Sequence, residues 1–205
     1  MGGELGFASA GGAVVSGEFG DGGFTGEIRM SFVKKIVRLT FAITSRKAAD
    51  ELIHDELTKT LAVGARLGAE RCAQSMKVPK ILGVDEDMRE WNFYQILEHN
   101  VIVNHRITGV VQLLAGNGPA LEPGFDVKKD VMPQLEAGEE QVAAFEQSVT
   151  SHLDAAARLP KLRGTERTDH VIFGPFDAHR WHCMFGFHLQ IHRKQAEALE
   201  AEIEK

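Results

Sequence analysis

The stretch FGFHLQIHRKQAEALEAEIEK, residues 185–205, decides the fold. It has the period of an amphipathic helix and carries His188 and His192 as an HxxxH pair. At about 100° per residue the two imidazoles stand about 40° apart on one helical face. Trp181, Met184, Phe185, Ile191, Gln195 and Leu199 fall in the same apolar stripe, so the pair faces the core. Two core histidines satisfied by hydrogen bonds are one reading. Burying both leaves several ring nitrogens to satisfy, whereas one divalent ion takes a nitrogen of each and leaves the others to outer hydrogen-bond partners. That favours a metal site, and a single helix cannot complete it.

The third ligand must come from another helix. WNFYQILEHNVIVNHRI, residues 91–107, puts His99 on a face with Ile102, Val103 and Arg106 and turns His105 about 120° away. His182 and His179 lie about 120° and about 180° from His188, so they are expected to be solvated or to face a second interface. His170 falls in a loop, where it either lines the pocket mouth or bonds backbone. HExxH is absent, and Glu51 with His54 makes one Glu-x-x-His where a carboxylate-bridged di-iron bundle needs two. There is no P-loop, dinucleotide-binding glycine fingerprint or GxSxG elbow, and no inward carboxylate stands out as a general base. No catalytic residue is assigned.

Three further helices precede the HxxxH helix. The first starts at an N-cap, Ser45, and runs through SRKAADELIHDELTKTLAVGARLGAERCAQ with Ile53, Leu57, Leu61, Gly64, Gly68 and Cys72 along one face. The second is expected from about Met88 to Leu114, with the acidic run Asp85-Glu86-Asp87 at its start and Gly116-Asn117-Gly118-Pro119 at its end. The third is GEEQVAAFEQSVTSHLDAAARL, residues 138–159, stopped by Pro160. Asp177 caps the fourth, which runs nearly to Lys205. The long link from about 115 to 134 is expected to be a crossover between helices two and three, and residues 161–176 form a second long link. The segment 32–43 is rich in β-branched residues and reads equally as strand or helix. The expected class is all-α.

Ten of the 21 glycines fall in residues 1–29, a density that resists ordering, so this stretch is expected to be a flexible tail before a domain spanning 30–205. The alternatives are a hairpin turning at Gly20-Asp21-Gly22-Gly23, or a natural start at Met30. A net charge of -6 lacks the basic excess that phosphate backbones demand, which argues against nucleic acid. Two cysteines outside any CxxC pattern give neither a disulfide framework nor a cysteine zinc site. With no run of 18 apolar residues and no basic-then-apolar leader, neither a membrane span nor export is expected, and the location is expected to be cytoplasmic.

Three pieces, ILEHN at 96–100, HVIFGPFDAHRW at 170–181 and HLQIHRKQ at 188–195, resemble the DinB/YfiT-like superfamily of metalloenzymes. The resemblance spans about residues 45–203, with Val171 standing where proline is more usual. It implies a four-helix bundle with a long crossover between helices 2 and 3, and it makes His99, His188 and His192 the metal ligands. It also implies a metal-dependent thiol transferase or a related isomerase or hydrolase, using zinc or nickel and a low-molecular-weight thiol on a small-molecule substrate. A homodimer is compatible with it. The alternative is a noncatalytic metal-binding bundle serving stability, sensing or stress.

Overall fold

Val33, Val37 and Phe41 recur at every fourth position, and that spacing makes the segment that read equally as strand or helix a helix, α1 (Gly23–Ile43). Phe41 meets Phe176 and Phe187 edge-on, with ring centroids 5.8 and 5.9 Å apart. In this computed structural model, residues 23–120, 126 and 128–205 are described, with side-chain surroundings from residue 32 onward. The tail expected over residues 1–29 and its hairpin alternative therefore fall largely outside the described residues; residues 23–29 belong to α1.

Ser45 is extended and its Oγ accepts a hydrogen bond from the Ala48 N–H at 3.1 Å, which starts α2 (Arg46–Cys72) where the sequence placed it. Gly68, at φ 72°, breaks the helical path inside α2, and it is exposed rather than on the inner face expected of it. Gly64 does allow a close approach: a Cβ there would lie 2.7 Å from the buried ring of Phe93. The acidic run opens only a 3-10 turn, Glu86–Met88, rather than the second long helix. That helix, α3 (Phe93–Leu114), starts five residues later than expected, because Asn92 and Gln95 form a reciprocal capping box. The expected crossover includes residues 121–125 and 127, outside the described residues.

The third helix of the sequence is α4 (Glu140–Ala157). Residues 161–176 are not wholly irregular: β1 (Arg167–His170) and β2 (Gly174–Asp177) pair antiparallel, with Thr168 opposite Phe176 and Gly174 at φ 75°. Asp177 then accepts the Arg180 N–H at 3.0 Å and opens α5 (Ala178–Ile203). The chain is predominantly helical. Helix α5 packs on α2 and α3, and α4 packs on α3 and more lightly on α2, around Ile53, Phe93, Ile96, Phe145, Phe185 and Leu189. No described helix is long and apolar enough to cross a membrane.

Candidate metal centre

Helices α3 and α5 bring His99, His188 and His192 together. One nitrogen of each lies within 4.8 Å of the other two. His99 and His192 are buried, while His188 is half-buried. The Nε2 atoms of His99 and His188 are 3.3 Å apart, the edge of a tetrahedron with metal–nitrogen bonds of about 2.0–2.1 Å.

Hydrogen bonds on the far side of the His99 and His192 rings settle which of their nitrogens faces inward. The Val131 carbonyl can only accept, so His99 Nδ1 donates to it at 2.7 Å. Gln195 Nε2 donates to the Met88 carbonyl at 2.7 Å, which turns its Oε1 toward His192 Nδ1, 2.8 Å away, as acceptor. Both rings therefore present an Nε2 lone pair to the centre. Lone pairs converging without a proton or cation repel, and among the described residues Nδ1 of His188 is buried with no hydrogen-bond partner. A divalent ion fits this donor set. The Gln195 contact is an outer support missed by the sequence reading, which put Gln195 on the stripe but gave it no role; its signal was the position three residues after the second histidine.

Burial pushes His192 down to about 3 and lowers His99, whose bond to Val131 partly offsets the shift. His188 is held well below the usual histidine range by burial and the neighbouring imidazoles. All three are neutral at pH 7, the state ligation requires. The centre lines a cavity of ≈ 390 Å³ that also includes Val103, Arg106, Ile107, His170 and Met184. A larger groove of ≈ 510 Å³ around Lys77, Glu90 and Trp91 holds no histidine and is bordered by the Lys77–Glu90 ion pair, so chemistry rather than volume selects the smaller cavity.

His182 and His179 are not solvated. Each is almost wholly buried, at 0% and 1% exposure, because the side of α5 away from the centre is covered too. His152 Nε2 lies 2.9 Å from His182 Nδ1, and His152 Nδ1 lies 2.9 Å from Thr108 Oγ1. Nε2 of His182 stands 3.0 Å from Asp50 Oδ1, in ion-pair range but outside hydrogen-bond geometry. These groups form a line rather than converging on a point, so they offer no second metal pocket. His179 donates to the Thr44 carbonyl at 3.0 Å. His105, Glu51 and His54 are exposed, which removes the lone Glu-x-x-His from the interior.

One inward carboxylate does exist. Glu56 is buried, but it pairs with Arg193 and accepts from Gln190 at 3.3 Å, and it does not line the cavity. Neither cysteine is an activated nucleophile: burial raises Cys72 and pushes Cys183 up to about 12.

Comparison with known family models, curated proteins and solved structures gives no significant match. The described residues thus establish a helical protein with a histidine cluster that could hold a metal ion.

The buried histidines set an acid limit. His170, His182 and His192 have native values of about 4, about 4 and about 3, below the ordinary 6.5. Between pH 6.5 and those values the unfolded chain takes up protons that the native chain refuses. Stability present above pH 6.5 is therefore lost as pH falls, at up to about 1.4 kcal/mol per pH unit for each such group. Urea midpoints of the metal-free protein should drop steeply from pH 6.5 to pH 5, and a flat profile would show that these rings are not held neutral.

Proposed function

We propose that the chain is a metal-dependent thiol transferase of the DinB/YfiT-like four-helix-bundle type, with His99, His188 and His192 as the ligands. The observation that carries this reading is the convergence of three imidazole nitrogens on the wall of a largely apolar cavity. His99, His188 and His192, as neutral imidazoles, would hold a divalent ion, zinc or nickel, and the chemistry it would supply is acidification of a low-molecular-weight thiol.

The chain's own residues supply the rest. Val131 and Gln195 hold the His99 and His192 rings with Nε2 inward, and the raised Cys72 and Cys183 leave the nucleophile to an external thiol. Val103, Ile107 and Met184 exclude water around the electrophile. Among the described residues the only carboxylate in the cavity lining is the exposed Asp169, which suits addition by a preformed thiolate better than base-assisted hydrolysis.

The test is conjugation of a panel of small thiols to a chromogenic aryl halide. Turnover is expected in the metal-loaded protein, with a fall of about 100-fold or more on chelation and recovery on adding metal back. Stoichiometric metal with no turnover across the panel would favour the noncatalytic metal-binding reading.

A further inference from the structure

We infer that His170 is a fixed Nε2–H donor in the cavity wall, seating a carbonyl or carboxylate oxygen of an apolar-bodied small molecule beside the three ligand histidines. The inference rests on reading this cavity as the substrate pocket. Nδ1 of His170 accepts from the Ile172 N–H at 3.1 Å and the Phe173 N–H at 3.4 Å. A neutral imidazole carries one proton, and both contacts need a lone pair on Nδ1, so the proton sits on Nε2.

The same tautomer bars His170 from the metal. Ligation needs a free lone pair, and the ring's single one is already taken by the turn. A fourth histidine near the centre therefore leaves the coordination position open instead of closing it.

The ring also packs among aromatic side chains. Phe173, Phe176 and Trp181 surround it at centroid distances of 5.0, 5.5 and 5.2 Å. Among the described residues its Nε2 meets no hydrogen-bond partner, although the residue lines the cavity. Val103, Ile107, Val110 and Met184 give that cavity an apolar wall, while His170 gives it an N–H donor. Such a lining suits an acceptor oxygen on an apolar body.

Benzoate is the probe, added to metal-free protein so that the outcome does not depend on the metal. Long-range proton–nitrogen NMR should show the Nε2–H tautomer of His170 at pH 7, with its signals moving as benzoate is added. In His170→Asn the amide oxygen can still accept from the turn, while the shorter amide places no donor at the former Nε2 position, so benzoate should bind about tenfold more weakly. Metal content should stay at the wild-type level. An Nδ1–H tautomer, the absence of any benzoate-induced shift in the wild type, or unchanged benzoate affinity in His170→Asn would each overturn the inference. If His170→Asn does not fold, the two wild-type NMR results decide alone. A wild-type protein that takes up no metal would count against the proposed function and leave the benzoate result standing.

Discussion

His188→Ala is expected to empty the metal centre. Wild-type protein should hold about one divalent ion per chain, and the variant should lose roughly 100-fold or more in affinity, since removing only an outer support of a ligand costs about 10–100-fold. Among the described residues Nδ1 of His188 meets no hydrogen-bond partner, and the ring is held on its other side, where Nε2 lies 3.3 Å from His99 Nε2. His99→Ala and His192→Ala should behave alike. Gln195→Ala should fall in the smaller range, because it frees the His192 ring without deleting a ligand. His179→Ala should leave occupancy unchanged, since its ring is bonded to Thr44. Metal per chain by mass spectrometry after dialysis reads all five, and full retention in His99→Ala would remove that residue from the site.

The second large effect lies away from the metal. Glu56→Ala should destabilise the protein by about 3–5 kcal/mol, because it strands the Arg193 guanidinium, which is only 13% exposed. Arg193 retains Glu197 at 2.5 Å, but that carboxylate is largely solvated and replaces the buried partner poorly. Replacing both residues, Glu56→Leu with Arg193→Met, should recover most of the loss, since no charge is then left buried. Urea denaturation of the two variants checks this, and a cost below about 1 kcal/mol for Glu56→Ala would mean that water reaches the pair.

What could be read from the sequence follows from what is local. The caps at Ser45 and Asp177 announced their helices because the capping side chain and the N–H that donates to it are three residues apart. His99, His188 and His192 were readable from helical angle and apolar neighbours alone. The start of α3 was misplaced because the acidic run at 85–87 imitates a helix N-terminus, whereas the deciding Asn92–Gln95 reciprocity needs two side chains at once. The hairpin at 167–177 escaped because its strands are four residues long and gain their order from packing against α1 and α5. Burial of His179 and His182 escaped for a related reason: helical angle shows which residues share a face, but not how many faces are covered.

His99 and His188 touch across 89 residues of chain. An ion shared by them would be a reversible staple closing a loop that holds all of α4 and the hairpin. In the chain-entropy view, closing a loop of that length removes roughly 4–5 kcal/mol of freedom from the unfolded ensemble. While the ion stays on, a melted chain is a tethered ring with two free arms, α1–α2 on one side and the last turns of α5 on the other. Acid protonates the imidazoles and cuts that tether, so the metal-loaded chain should expand in two stages, first the arms and then the ring.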